Sequence, residues 1–306
     1  AIRLFEPYKA AGPDGIQPIH LQKGWEHLQD PITMIMEASH RLGHVPVSWR
    51  ESKGIFLPKP GKPDYLQPKA YRVITLTPTL LKLHERVILY HMKVDLKMDA
   101  LISKNQHGFK SGSSTVTALH KAVHRIEKAI ANQGFALGTF LDIEGAFDNV
   151  SFKAIRETLS KCKLDSSTTD WIMNMISNRF VTVEIKNHKK RIKVNRGCPQ
   201  GGILSPFLWN LIVNDLLQYT EANDIGNLQA FADDLLSLVA GKDPGTLRDI
   251  TQRTVSIIEK WCQAKGLKVS ATKTKLVMFT WNKKWEIRKA IKLDGIPLEL
   301  SQTVKF

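Results

Sequence analysis

The feature that most constrains the fold is a pair of adjacent acids, Asp233 and Asp234, inside an apolar run. Residues 228–239 (LQAFADDLLSLV) predict two short strands that turn at this pair. Carboxylates that meet at the edge of a core repel each other, and a bound divalent cation relieves the repulsion, since Mg²⁺ prefers carboxylate oxygens. A solvated surface turn is the other interpretation of two neighbouring acids. The apolar flanks favour the buried setting.

A second acid, Asp142, lies in a similar setting. It follows the apolar run 135–141, which is long enough for a buried strand. Taken alone, Asp142 is also explained as a helix cap or a strand-end turn. Together with Asp233 and Asp234 it places carboxylates at the ends of two predicted strands. Such acids can hold two metal ions about 4 Å apart, which activate a hydroxyl and stabilise the leaving oxygen in phosphoryl transfer.

The charge of the chain indicates a polyanionic partner. Its 306 residues contain 44 Lys plus Arg and 29 Asp plus Glu, a net charge of +15, so nucleic acid is the first candidate and a merely basic protein the second. The cysteines Cys162, Cys198 and Cys262 are scattered, which excludes a disulfide framework and favours a reducing, intracellular compartment. No apolar run reaches about 18 residues, and residues 1–30 lack a signal peptide, so no membrane partner is predicted.

The order of predicted elements, with hairpins between helices, favours an α+β fold over an alternating parallel sheet. Helices are predicted over 30–42, 79–98, 114–131, 151–162, 168–178, 201–219 and 245–264. Strands and hairpins are predicted over 53–58, 71–76, 135–143, 180–195, 228–239, 275–280 and 287–293. The first of these helices is predicted to open at Asp30 as its N-cap, with Pro31 at its first position.

Three segments occur in the order and spacing of the palm motifs of reverse transcriptases: LDIEGAFD (141–148), CPQGGILSP (198–206) and FADD (231–234). The chain resembles the reverse transcriptase domain of non-LTR retrotransposons of the jockey/LINE kind. Six further segments agree with that family, namely KAAGPDGI (9–16), GIFLPKPGK (54–62), YRVITLTPTLLKLHERVI (71–88), NQHGFKSGSSTVTAL (105–119), GLKVSATKTKLVMF (266–279) and IKLDGIPLELSQTVKF (291–306). The resemblance therefore spans nearly the whole chain.

The resemblance implies a right-hand polymerase with a small antiparallel palm sheet and no thumb. The implied fingers are residues 1–90 and 150–198, and the implied palm is residues 91–149 and 199–306, ending in a primer-grip hairpin. The abrupt ends of the sequence indicate a piece of a longer polyprotein, whose endonuclease and thumb regions would be missing here.

The implied function is RNA-directed DNA polymerase, which extends a DNA primer with dNTPs on an RNA template using two Mg²⁺ ions, with Mn²⁺ as a substitute. The implied location is the nucleus and a cytoplasmic ribonucleoprotein. One alternative is an RNA-dependent RNA polymerase, which FADD in place of Gly-Asp-Asp and the aromatic Phe147 disfavour. The other is an inactive, domesticated nucleic-acid-binding scaffold, which the intact Asp142, Asp233 and Asp234 disfavour.

The resemblance also implies site residues. Asp142, Asp233 and Asp234 match the catalytic and metal-ligating acids, and the carbonyl of Ile143 would complete a metal shell. The implied nucleotide-binding residues are Lys59, Arg72, Phe147, Gln200, Gly201 and Lys273. The implied nucleic-acid-binding residues are Lys110, Lys189, Lys190, Arg191 and Arg196.

Several of these assignments have alternatives. Lys59 and Arg72 suit a triphosphate, because Arg can bind phosphate oxygens bidentately and Lys supplies a point charge, but a solvated hairpin also explains Lys59. The Gln200 loop could be an ordinary entry into a helix. Lys275 competes with Lys273 as proton donor to pyrophosphate.

Two further assignments are open. Phe147, placed to exclude a 2′-hydroxyl, could instead anchor the core. The basic residues of 186–196 could be a solubilising charge run rather than a contact to template phosphates and 2′-hydroxyls. The first residue of FADD is Phe231 where many relatives have Tyr, so a hydroxyl contact to the primer is absent. The tryptophans are assigned to packing.

Overall fold

The computed structural model describes residues 1–282 and 284–304. Lys283 and residues 305 and 306, which belong to the predicted palm range, lie outside the described residues. The α-helices are α1 (Pro18–Lys23), α2 (Trp25–Arg41), α3 (Thr79–Tyr90), α4 (Thr115–Ala131), α5 (Ala146–Asn149), α6 (Phe152–Lys161), α7 (Ser166–Ser177), α8 (Ser205–Ala222) and α9 (Pro244–Lys265). The strands are β1 (Glu51–Pro58), β2 (Tyr71–Leu76), β3 (Phe135–Asp142), β4 (Phe180–Ile185), β5 (His188–Lys193), β6 (Leu228–Phe231), β7 (Asp234–Gly241), β8 (Lys275–Phe279), β9 (Lys292–Leu293), β10 (Ile296–Pro297) and β11 (Glu299–Leu300).

The chain divides into two compact units, each built from two stretches of sequence. Unit 1 is Ala1–Met98 with Val150–Leu208, and unit 2 is Asp99–Asn149 with the described residues from Trp209 onward. Each unit combines helices with a small sheet, so the predicted α+β class is confirmed. The naming of fingers and palm by residue range stays a prediction.

Unit 1 contains a four-stranded sheet in the order β2-β1-β4-β5. The β1–β2 and β4–β5 pairs are antiparallel hairpins, and β1 joins them by pairing in parallel with β4. The helices of this unit bury their own apolar cluster, in which Ile2, Leu21, Ile32 and Leu83 meet.

The first long helix of unit 1 differs from its prediction. It begins at Trp25 rather than at Asp30, so Pro31 lies inside α2, and Leu42 is its C-cap. Pro31 has no N–H to donate, and the helix continues through it without that bond. A proline inside a helix is rarer than one in the first turn, and for that reason the sequence placed the start too late.

Unit 2 is built on a five-stranded sheet in the order β11-β8-β3-β7-β6. The central strands β3 and β7 are antiparallel over their whole length, from Phe135 opposite Gly241 to Asp142 opposite Asp234. Both strands are buried almost throughout. Helix α4 covers the sheet through an apolar cluster that includes Ala122 and Leu236, and α9 also packs on β3 and β7.

This packing explains the sequence pattern at the centre of unit 2. Because the side chains of both faces are buried, β3 and β7 are continuous apolar runs rather than alternating ones. The acids Asp142 and Asp234 therefore stand out in the sequence, and they lie at the same end of the β3–β7 pair.

No helix within the described residues is long and apolar enough to cross a membrane.

Candidate active site

The three predicted catalytic acids lie together at one edge of the unit 2 sheet. Asp142 is the last residue of β3, and Asp234 is the first residue of β7. The register of the two strands sets these residues directly opposite each other. The β6–β7 hairpin turns between Phe231 and Asp234, which are also paired, so Asp233 lies in the turn. Ala232 in this turn has a left-handed backbone with φ of 56°.

The carboxylates influence one another. Asp234 is an exposed residue as a whole, but protein atoms partly remove water from its carboxyl group. This desolvation raises the pKa of Asp234 to about 6, and the negative charges of Asp233 and Asp142 raise it further. The positive charge of Lys273 lowers it and so opposes the shift. Paired acids with mutual repulsion are what a bound cation would stabilise.

Lys273 is held close to these acids. Its Nζ lies 2.9 Å from Oδ2 of Asp142 in an ion pair. The segment before it runs along the end of β3, where the N–H of Ser270 donates to the carbonyl of Asp142 at 2.9 Å. In the same segment Val269 forms an isolated antiparallel bridge with the buried Ile143. The competing Lys275 instead pairs with Glu299, so the geometry favours Lys273 as the lysine near the acids.

Phe147 lies just beyond Asp142, on the short helix α5, and is half-buried. Its ring is flanked by Phe109, edge-on at 5.9 Å between centroids, and by Trp209, tilted at 5.9 Å. The ring is therefore held by two aromatic neighbours while part of it stays accessible. This arrangement is compatible with both the sugar-contact hypothesis and the core-anchor alternative.

The Gln-Gly-Gly loop lies in unit 1, against strand β2. The carbonyl of Gln200 accepts a hydrogen bond from the N–H of Thr75 at 2.7 Å. Gly201 has φ of 116°, and a Cβ there would lie 2.6 Å from the carbonyl oxygen of Thr75. Only glycine fits this close approach between two backbones. The loop is thus tied to the strand that carries Arg72.

The predicted phosphate-binding cations of unit 1 lie at the loop end of the β1–β2 hairpin. Arg72 is an exposed residue of β2 opposite Leu57. Lys59 follows β1 directly, and its Nζ donates to the carbonyl of Lys69 at 3.1 Å. The two cations are therefore close to each other in one hairpin, Lys59 just after β1 and Arg72 on β2.

The predicted nucleic-acid-binding residues occupy different settings. Lys189, Lys190 and Arg196 are exposed, the first two on the edge strand β5. Arg191, also on β5, pairs with Glu51 and lies over the ring of Phe180 at 3.5 Å, so it also holds the sheet of unit 1 together.

Lys110 of unit 2 is engaged with the backbone. Its ammonium donates to the carbonyls of Ile102 and Ser103 at 3.1 and 2.9 Å. Its burial lowers its pKa. These bonds give Lys110 a structural contact that the sequence did not indicate, and its contact with nucleic acid stays a prediction.

Sequence reasoning missed Glu85, a fully buried acid on α3. Its Oε1 accepts the N–H of Leu204 at 3.2 Å, immediately after the Gln-Gly-Gly loop. Burial raises the pKa of Glu85 to about 7, and hydrogen bonds from the backbone at Leu204 and Ile203 oppose the shift. The signal was available, since Leu81, Glu85 and Ile88 follow helical spacing on one buried face.

Glu85 leads to a prediction about stability. Its folded-state pKa exceeds its ordinary value of 4.5, so the folded state holds the proton more tightly. Stability should be full below about pH 4.5 and should fall by about 3 kcal/mol as the pH rises to about 7. Glu85→Gln should remove this slope, measured by urea unfolding at several pH values. Glu157→Gln, at a half-exposed acid of α6, is the control, and an unchanged slope in Glu85→Gln would contradict the assignment.

Comparison with known families decides the identity of the chain. The family described as reverse transcriptase (RNA-dependent DNA polymerase) matches residues 57–303. The chain belongs to the reverse transcriptase family. The match includes the acids Asp142, Asp233 and Asp234, the Gln-Gly-Gly loop and the segment that carries Lys273.

The relatives of this reverse transcriptase domain are non-LTR retrotransposon proteins, as the sequence predicted. A protein of the type-1 retrotransposable element R1DM of Drosophila melanogaster is 28% identical over 270 residues, which are 88% of this chain and 26% of that protein. The RNA-directed DNA polymerase from the mobile element jockey of the same organism is 26% identical over 255 residues, 81% of this chain and 27% of that protein. The chain thus spans about a quarter of the length of these relatives.

Solved structures confirm the predicted right-hand polymerase fold, and the absence of a thumb stays a prediction. The apo telomerase of Candida tropicalis, truncated from its C-terminal domain, aligns with a TM-score of 0.55 over 78% of this chain and 52% of that chain. The sequence identity is 14%, so this likeness shows the fold alone.

Reverse transcriptases generally use divalent metal ions, and the donor set of this site fits that chemistry. The oxygen donors at this site are carboxylates, which suit Mg²⁺. Burial is the largest cause of the raised pKa of Asp234, and the charges of Asp233 and Asp142 raise it further. Within the described residues no three acidic, His or Cys side chains form a cluster that could hold a metal ion, and one oxygen of Asp142 is paired with Lys273.

Proposed function

We propose that this chain is a polymerase module that adds deoxynucleotides to a primer 3′-end on an RNA template. The observation that carries the proposal is the register of β3 and β7, which sets Asp142 opposite Asp234 beside the turn that holds Asp233. Membership of the reverse transcriptase family supports the choice of RNA as template and deoxynucleotides as substrate.

In the proposed reaction the primer 3′-oxygen attacks the α-phosphorus of a dNTP, and the bond from that phosphorus to the pyrophosphate oxygen breaks. Asp142 and Asp233, with Asp234 and the carbonyl of Ile143, would hold the two Mg²⁺ ions. When bound, these ions lower the pKa of the attacking hydroxyl and stabilise the charge on the leaving oxygen. Lys273 carries a proton at Nζ, within reach of this site, that can be given to the departing pyrophosphate.

The residues of unit 1 have roles in binding. Arg72 and Lys59 would neutralise the triphosphate, since both extend from the end of one hairpin. Gln200 and Gly201 would contact the nucleotide from a loop that the hydrogen bond between Thr75 and Gln200 holds against β2. Lys189, Lys190 and Arg196 would contact phosphates without reading sequence.

The relatives' greater length supports a further part of the proposal, that this module works within a longer polyprotein. Template choice and priming would then depend on regions beyond these 306 residues. The chemistry assigned above requires only residues within them.

A primer-extension assay tests the proposed function. The protein should extend a DNA primer on an RNA template with dNTPs and Mg²⁺, and EDTA should abolish extension. Mn²⁺ should substitute in part. Extension with ribonucleotides alone would instead identify an RNA-dependent RNA polymerase, and binding of the primer–template without any extension would identify an inactive scaffold.

A further inference from the structure

Residues 105–108 contact the end of β6 and the turn between β6 and β7, called the catalytic turn below because it carries Asp233. The N–H of Ala230 donates to the carbonyl of Asn105 at 2.8 Å, and the N–H of His107 donates to the carbonyl of Ala230 at 2.8 Å. Gln106 thereby forms a parallel bridge with Ala230, two residues before the left-handed Ala232. The segment therefore pairs alongside β6, the strand that leads into the turn.

Gly108, at the end of this segment, is packed directly on the turn. A Cβ at Gly108 would lie 2.2 Å from the nitrogen of Ala232, 2.9 Å from its Cα and 3.1 Å from the carbonyl carbon of Phe231. All three are backbone atoms, so no side-chain movement could make room. Any residue other than glycine would displace the turn itself.

Buried polar side chains hold Gly108 itself in position. Its N–H donates to Oε1 of Gln106 at 2.9 Å, and its carbonyl accepts from Nδ2 of Asn210 at 2.9 Å. Gln106 and Asn210 are both almost fully buried. A buried hydrogen-bonded support of this kind cannot shift without leaving polar groups unpaired.

The next peptide group, between Ala232 and Asp233, is held by Trp209. The indole Nε1–H of Trp209 donates to the carbonyl of Ala232 at 2.7 Å, and the ring is 1% exposed. Ala232 is therefore contacted at its nitrogen by Gly108 and at its oxygen by Trp209. Ala232 also has the strained left-handed conformation that such a support must maintain.

We propose that Gly108 and Trp209 are positioning residues that fix the backbone on both sides of Ala232 and, through it, the carboxylates of Asp233 and Asp234. The inference rests on the proposed function, because it gives these two acids a catalytic task. A displacement of about 1 Å at a catalytic group can cost about a hundredfold in rate. The clamp formed by these two residues prevents that displacement.

The test uses one variant for each half of the clamp. Gly108→Ala should lower kcat for primer extension about 100-fold, and Trp209→Phe, which removes the N–H donor together with part of the buried ring, about tenfold. The Kd for primer–template, measured without metal, should stay within about twofold in both variants, because the binding cations are untouched. The KM for dNTP should stay within about twofold in Gly108→Ala, which leaves the ring of Trp209 beside Phe147 in place. The Mg²⁺ concentration for half-maximal activity should rise in both variants.

Two control variants make the same changes elsewhere in unit 2. Gly245→Ala adds a methyl group at the start of α9, 3.2 Å from the carboxylate of Asp243 and away from the acids. Trp281→Phe alters a ring that is 84% exposed. Both should retain the kcat of the unmodified protein.

A readout independent of activity separates this inference from the proposed function. The Trp209 indole N–H, bonded to Ala232, should be protected from hydrogen exchange, and Gly108→Ala should remove that protection while Gly245→Ala should not. If the unmodified protein does not extend primers, the proposed function fails, and this exchange experiment still decides whether the clamp exists.

Three outcomes would overturn the inference. The first is a folded Gly108→Ala variant with unchanged kcat and a protected indole. The second applies if Gly108→Ala fails to fold, in which case a kcat of Trp209→Phe equal to that of Trp281→Phe rejects the clamp. A loss of kcat accompanied by equal losses in primer–template binding and thermal stability would indicate general structural damage and would also reject it.

Discussion

Asp233→Ala should abolish primer extension while leaving primer–template binding nearly unchanged. The variant removes a carboxylate from the turn between β6 and β7, and with it one of the oxygen ligands proposed for Mg²⁺. We expect kcat to fall by about a thousandfold or more, which corresponds to about 4 kcal/mol of transition-state stabilisation. Binding should persist, because it depends on Lys and Arg contacts to phosphate. Single-turnover extension and filter binding measure the two quantities.

The matched control is Asp249→Ala, which removes the same charge from an exposed site on α9 of the same unit. It should extend primers at the rate of the unmodified protein. Equal turnover by Asp233→Ala and this control would reject the two-metal assignment. Loss of binding together with activity in Asp233→Ala would assign the residue a structural role.

The site acids were predictable because their signal is local. Asp233 and Asp234 interrupt an apolar run, and Asp142 ends another, which is a pattern visible without any knowledge of tertiary contacts. That Asp142 lies near Asp233 and Asp234 could also be predicted approximately, because the ends of neighbouring strands lie close together in a sheet. The register that sets Asp142 directly opposite Asp234 is a property of the folded sheet alone.

The roles of Gly108 and Trp209 were not predictable, because they depend on contacts between residues far apart in the sequence. Gly108 must be glycine because the backbone of Ala232, more than 100 residues away in sequence, approaches it, and its own neighbours in the chain do not reveal this. Trp209 was correctly assigned to packing, but its hydrogen bond to Ala232 depends on the direction of one N–H. Such contacts are set by the tertiary fold rather than by local propensity.

Glu85 is an intermediate case. Its helical spacing with Leu81 and Ile88 predicts burial, and a buried carboxylate requires partners. The partner, the N–H of Leu204 after the Gln-Gly-Gly loop, cannot be named from the sequence. The sequence could therefore have predicted that Glu85 is buried and paired, whereas only the structure identifies Leu204 as its partner.

Phe147→Val should admit ribonucleotides far better while changing deoxynucleotide use only modestly. The half-buried ring is held between Phe109 and Trp209, five residues after Asp142 in sequence. If the ring lies beneath the incoming sugar, it collides with a 2′-hydroxyl, so selection against ribonucleotides is a built-in repulsion. Removing the ring should raise kcat/KM for CTP relative to dCTP by about 100-fold on one primer–template.

The core-anchor alternative makes a different prediction for the same variant. Loss of an anchoring ring leaves a cavity that costs about 3 kcal/mol of stability and depresses the use of both nucleotides. Phe140→Val provides the comparison, because Phe140 packs in the apolar cluster beneath α4 and has no proposed contact with the sugar. Phe140→Val should lower thermal stability and leave the CTP to dCTP ratio unchanged. If Phe147→Val behaves in the same way, Phe147 is an anchor, and the preference for DNA synthesis must come from other residues.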